Sequence, residues 1–151
     1  EAWPKEKPLG VRVSATDWVE GGWTLEDSIV FSQRLAALGC DYVTASSGGV
    51  SPEQKITVKP GYQVDFAAAI RREAGIPTMA VGLITEPRQA EEIVAEGQAD
   101  MVALGRGMIF NPRWPWHAAL ELGEPAFFPP QYERAHPAMR LGDFLKPSMS
   151  A

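Results

Sequence analysis

What most constrains this chain is a repeat: a short apolar run, a turn, then a helical segment with one apolar face, four times in succession. Apolar strands separated by helices belong to parallel sheets, because a crossover must carry the chain back before the next parallel strand can start. The strands read as Leu9–Ser14, Asp41–Ala45, Thr78–Val81 and Met101–Leu104. In the first, Val11 and Val13 point one way and Arg12 and Ser14 the other.

The helices carry their own punctuation. After a Gly21–Gly22 turn, Thr24 with Asp27 makes a capping-box start for a helix ending near Leu38, with Gly39 as its stop. Leu25, Ile29, Phe31, Leu35, Ala36 and Leu38 share one half of it, and Glu26, Asp27, Gln33 and Arg34 the other. A second helix spans Gln63–Ala74 after a long Ser-, Gly- and Pro-containing loop, Ser46–Tyr62, of the length that usually serves function. Thr85 is expected to cap a third helix, Glu86–Glu96, with Ala90, Ile93 and Val94 inward and Gly97 after it. Asn111 as cap and Pro112 at the first position open a last helix to Leu122. The remainder, 123–151, is Pro-rich and reads as irregular.

Four strand–helix units admit two architectures: a doubly wound sheet, or half of an eight-fold barrel, whose full form needs about 250 residues. Periodicity alone leaves both open. The opening Glu-Ala-Trp-Pro-Lys-Glu-Lys-Pro reads as a helix end and a connector, so a segment upstream is expected.

Charge and composition exclude several function classes. A net charge of −5, with no basic run beyond Arg71–Arg72, offers no electrostatic grip on nucleic acid or anionic lipid. No stretch approaches the roughly 20 apolar residues of a membrane span. Cys40 is the single cysteine and cannot form an internal disulfide, which fits a reducing cytoplasm.

Few residues are placed to do chemistry. Gly82 and Gly105 end successive strands and each precedes a helical segment, where backbone N–H groups can approach an anion. Arg106 follows Gly105 directly and adds a cation. In barrels the loops after the last two strands build phosphate sites of this kind, although both glycines also serve as ordinary strand exits. Arg12 lies in a strand that otherwise reads as buried, so it needs acceptors: a carboxylate on a neighbouring strand, or a ligand. Cys40 falls on the opposite side of the strands and suits packing. His117 and His136 lack metal-ligand spacing.

Taken together, VRVSATDW (11–18), TASSGG (44–49), PGYQVDFAAAIRREAGIPTMAVGLIT (60–85), ADMVALGRGMIFNP (99–112) and QYER (131–134) resemble the old yellow enzymes. The resemblance runs over residues 9–135 and is nearest to the bacterial thermophilic-like class that includes xenobiotic reductases. It implies an α/β fold, the C-terminal half of a (β/α)8 TIM barrel, with these strands as numbers five to eight. Residues 1–123 would be that half-barrel, and 124–151 an extension at a subunit interface.

The resemblance also implies FMN as cofactor and NADPH or NADH as reductant. Arg12 then matches the arginine at the flavin N1/C2-carbonyl edge. Gly82 and Leu83 match the phosphate contacts after strand seven, and Gly105 and Arg106 those after strand eight. Arg134 matches an arginine that enters the neighbouring protomer's substrate pocket in a homo-oligomer. The family's carbonyl-gripping His-His or His-Asn pair and its tyrosine proton donor come from the other half of the barrel and have no counterpart here. The implied activity is therefore an ene-reductase, acting on an enone, that needs an N-terminal half-barrel as partner. Two other readings stand beside it: a non-catalytic half-barrel binding a phosphate-bearing ligand, and a structural fragment that only associates.

Overall fold

The computed structural model describes residues 3–135, apart from the side chains of 133–135. Four strands, β1 (Gly10–Ser14), β2 (Tyr42–Ser46), β3 (Thr78–Val81) and β4 (Met101–Ala103), form one sheet in the order β1-β2-β3-β4, parallel at every pairing. A doubly wound sheet reverses its strand order at a switch point. Here no reversal occurs, and successive crossovers of one hand place their helices on one face, as in a barrel wall. The sheet is thus four strands of a (β/α)8 barrel.

Helices α1 (Leu25–Ala37), α2 (Val64–Ala74) and α3 (Pro87–Ala95) make the crossovers. Two more follow β4: α4 (Arg106–Phe110) and α5 (Trp114–Leu122), with a 3-10 turn at Pro130–Ala135. The chain divides into two compact units, Glu1–Pro112 and Arg113–Ala151. In the second, the Trp116 ring lies 4.9 Å from Phe128 and 5.4 Å from Tyr132, with the Arg113 guanidinium over both Trp116 and Tyr132.

Register sorts the sheet into two faces. Val43 and Ala45 align with Thr78 and Ala80, and all four are fully buried on the helix side. The other face carries Arg12, Thr44 and Met79 side by side, and Thr44 Oγ1 donates to Met79 Sδ at 3.6 Å. In a closed barrel that second face is the interior.

At the N-terminal ends of the strands one device occurs twice. Asp41, just before β2, accepts from the Leu9 N–H at 2.7 Å and gives its own N–H to the Leu9 carbonyl at 2.8 Å. Asp100, just before β4, does the same with Thr78, at 2.9 and 3.0 Å. Each aspartate so pins a strand to its predecessor. Asp100 is further gripped by Arg71 of α2, whose Nε lies 3.1 Å from both carboxylate oxygens.

Helix α1 begins with the expected capping box: Asp27 N–H donates to Thr24 Oγ1 at 3.2 Å, and Thr24 N–H to Asp27 Oδ2 at 3.0 Å. Its buried face differs from expectation. Ser28, Ile29 and Ser32 are buried, whereas Phe31 is 38% and Leu38 85% exposed. Two serines can face the sheet because their hydroxyls are satisfied: Ser28 donates to the Ala15 carbonyl and Ser32 to the Ser28 carbonyl. In α3, Ala90 and Ile93 are buried but Val94 is 42% exposed. Thr85 does not cap α3; Glu86 is the N-cap, no side chain bonds there, and Pro87 begins the helix. Nor does Asn111 start the last helix. It ends α4, and α5 starts three residues later behind Arg113, because Pro115 suits a first turn as well as Pro112 does.

Candidate functional site

A cleft of about 310 Å³ opens at the C-terminal ends of the strands. It gathers Arg12 from β1, Gly82 and Leu83 from the exit of β3, and Gly105 and Arg106 from the exit of β4. Every unit-1 residue singled out in the sequence as a ligand contact thus lines one concavity.

Arg12 departs from expectation in its surroundings. It is exposed, and its partner is a hydroxyl: Nη2 donates to Ser46 Oγ at 2.8 Å, across the β1–β2 pairing. No carboxylate pairs with it among the described residues. Its exposure keeps the guanidinium solvated, and the residue lines the cleft.

At the far side, Gly105 is the N-cap of α4, and the space where its Cβ would stand is open. A ligand can therefore approach this backbone closely. The N–H groups of Arg106 and Gly107 fall in the first turn of α4, where no helical carbonyl can accept them. Arg106 itself is exposed and makes no hydrogen bond or ion pair among the described residues. Beside it, the β3 exit adopts unusual backbone: Gly82 has φ 128° and Leu83 φ 49°. Left-handed φ is uncommon for a leucine and persists where surroundings enforce it.

Among the cleft residues that the sequence did not single out as ligand contacts are Ser46, Ser47 and Gln63. Gln63 is 2% exposed and joins Ser47 to the Val81 carbonyl. Its one local signal is its position as the N-cap of α2, where a short Ser, Thr, Asp or Asn is usual.

Arg134 lies in the 3-10 turn, but its side chain is outside the described residues, as is all of His136. Among the described residues there is no group of three or more His, Cys, Asp or Glu side chains able to hold a metal ion. No described helix is long and apolar enough to cross a membrane.

The profile of the NADH:flavin oxidoreductase / NADH oxidase family matches residues 1–124. The chain belongs to this family. The family is one of flavin-dependent oxidoreductases, and its name gives NADH as the reductant. The NADPH dehydrogenase of Geobacillus thermodenitrificans is 52% identical over 134 residues, covering 89% of this chain and 38% of that protein. That of Halalkalibacterium halodurans is 49% identical over 128 residues, covering 85% and 38%. The chain thus spans under two fifths of the length of these curated relatives. Among solved structures, histamine dehydrogenase from Rhizobium sp. 4-9 superposes with a TM-score of 0.62 at 24% identity, over 78% of this chain and 17% of the other. That likeness concerns the fold.

Proposed function

We propose that this chain is the C-terminal half-barrel of an FMN-dependent ene-reductase and supplies the phosphate side of its flavin site. The observation that carries the reading is the convergence of Arg12, Gly82–Leu83 and Gly105–Arg106 on one cleft at the strand ends. The cleft suits a phosphate ester: it offers first-turn N–H donors, an uncommitted guanidinium at Arg106 and open backbone at Gly105. Arg12 stands three strand spacings away, roughly 14 Å across the sheet, so the two cations address opposite ends of an elongated ligand.

FMN, when bound, supplies hydride transfer from NAD(P)H to the β-carbon of an α,β-unsaturated carbonyl. The chain's own part is to bind and to bias charge. Arg106 and its neighbouring N–H groups hold the phosphate. Arg12, steered by Ser46, sets a positive charge where the flavin ring gains electron density. Carbonyl binding and proton donation are assigned to an N-terminal half-barrel, present as a separate chain or as the rest of one polypeptide. The assembled protein is proposed to be a homo-oligomer in which Arg134 reaches the substrate pocket of the adjacent protomer. The similarity of QYER to the thermophilic-like class supports that placement.

The test begins with the purified chain, FMN, NADPH and cyclohexenone. FMN binding with turnover far below that of an intact ene-reductase is expected, and turnover should appear once an N-terminal half is added. Failure to bind FMN, or normal turnover by the chain alone, contradicts the reading. FMN binding without turnover in the assembled protein would favour the non-catalytic alternative.

A further inference from the structure

Gln63 occupies the N-cap of α2 yet makes no side-chain bond to that helix. Its amide is instead spent between strands. Oε1 accepts from Ser47 Oγ at 2.6 Å, just beyond β2, and Nε2 donates to the Val81 carbonyl at 2.9 Å, the last residue of β3. The same amide lies flush against Gly82, where an added Cβ would stand 2.8 Å from Nε2 and 3.2 Å from Tyr62. One residue further on, the Gly82 carbonyl accepts from the Gly61 N–H at 2.9 Å.

Two successive carbonyls, Val81 and Gly82, are therefore held toward the start of α2. Neither peptide is cis, and in a trans peptide the N–H points opposite to its carbonyl. The Gly82 and Leu83 N–H groups are thus turned away from α2. Consecutive amides held like this, one residue at φ 128° and the next at φ 49°, break the strand and leave two adjacent N–H groups of the kind that a turn can offer to an anion. The left-handed leucine needs an external constraint, and the Gln63 clamp is one.

We propose that Gln63 is a positioning residue for the phosphate side of the cleft: by clamping Ser47 to Val81 it sets the Gly82–Leu83 turn that meets the flavin phosphate. This role rests on the proposed FMN site. Gln63 acts through the turn and is nearly excluded from solvent, so its loss is felt where the turn meets the ligand.

FMN and riboflavin differ by the phosphate, and titrating both by flavin fluorescence separates this role from general support. Gln63→Met keeps the volume and removes both hydrogen bonds. It is expected to weaken FMN binding about tenfold, with riboflavin changed less than about twofold. Ser47→Ala leaves the Val81 bond intact and should lower FMN preference less, by about threefold; it carries the test if Gln63→Met does not fold. Combining the two should add little to Gln63→Met alone, since both act through one amide. Equal weakening of both flavins, or an unchanged FMN preference, overturns the positioning role and leaves the FMN site standing. If the unaltered chain binds neither flavin, the FMN reading falls and takes this role with it.

Discussion

Arg106 and Arg12 carry the same charge but occupy different chemical settings. Arg106 has no protein acceptor among the described residues, so its guanidinium is available to a phosphate. Arg106→Ala should weaken FMN retention by about 1.5–3 kcal/mol, the worth of a charge-assisted hydrogen bond, with little change in reduction potential. Arg12 is oriented by Ser46, and Arg12→Ala should lower the potential of bound flavin in the assembled protein. A spectroelectrochemical titration of the two variants decides between the assignments, and an unchanged potential in Arg12→Ala removes it from the ring edge. Thr78 is a different case: it is fully buried, and its Oγ1 has no hydrogen-bond partner among the described residues. Thr78→Val preserves shape and deletes the unmatched hydroxyl, so unfolding should show a gain of about 1 kcal/mol. A loss of stability would mean the hydroxyl finds a partner in solution.

Elements are held together here by short polar devices at their ends. Asp100 satisfies the first N–H of β3, orders the start of β4 and receives Arg71 from α2. Because the ion pair is partly solvent-exposed, most of its value lies in the backbone contact. Asp100→Ala should cost about 1–2 kcal/mol in denaturant unfolding and leave FMN affinity of the folded fraction unchanged, since it sits at the end of the strands away from the cleft. The α1 cap makes a pH prediction. Hydrogen bonds from the Thr24 backbone N–H and then its hydroxyl hold the Asp27 carboxyl below its ordinary 3.8. A lowered folded value means the cap contributes fully above the unfolded carboxyl's range and is lost as pH falls through the folded one. Melting temperature should therefore drop on acidification below about pH 4, and Asp27→Asn should lower it at neutral pH while flattening that slope. Equal acid slopes in both proteins would assign the effect to other carboxylates.

At the scale of the molecule, β1 and β4 each have a single strand neighbour among the described residues. Exposed strand edges invite pairing, and a barrel removes them by closure. Leu9, beside β1, is 47% exposed, and Ile109 and Phe110, at the end of α4, are 82% and 93% exposed. Under the proposed function, an N-terminal half-barrel would cover the two strand edges. Alone, the chain should associate with rising concentration in sedimentation experiments. Adding an N-terminal half should suppress that association and raise the melting temperature. A monodisperse chain that ignores the added half would argue against closure of this kind.

Local chemistry determined a good deal without any tertiary information. Period-two and period-3.6 patterning marked the four strands and the crossover helices, and Thr24 with Asp27 marked the start of α1, because these depend on residues a few positions apart. The Gly82 and Gly105 exits were legible for the same reason, and the phosphate role proposed for them rests on their likeness to a known family and on the cleft they line. Strand order was not legible in the periodicity, since the same four units suit a reversed or a sequential sheet; the family resemblance implied the sequential one, and β1 pairs with β2, β2 with β3 and β3 with β4. The serine face of α1 was hidden because Ser28 becomes a core residue only when the Ala15 carbonyl is there to receive its hydroxyl. Arg12 read as buried because a strand's pattern does not show whether its second face is covered. Gln63 read as the start of a helix, and its clamp exists only where Ser47 and Val81, 16 residues before and 18 after it, are brought to either side of one amide. Pairings over such distances cost chain entropy and are decided by the whole fold, not by neighbours in sequence.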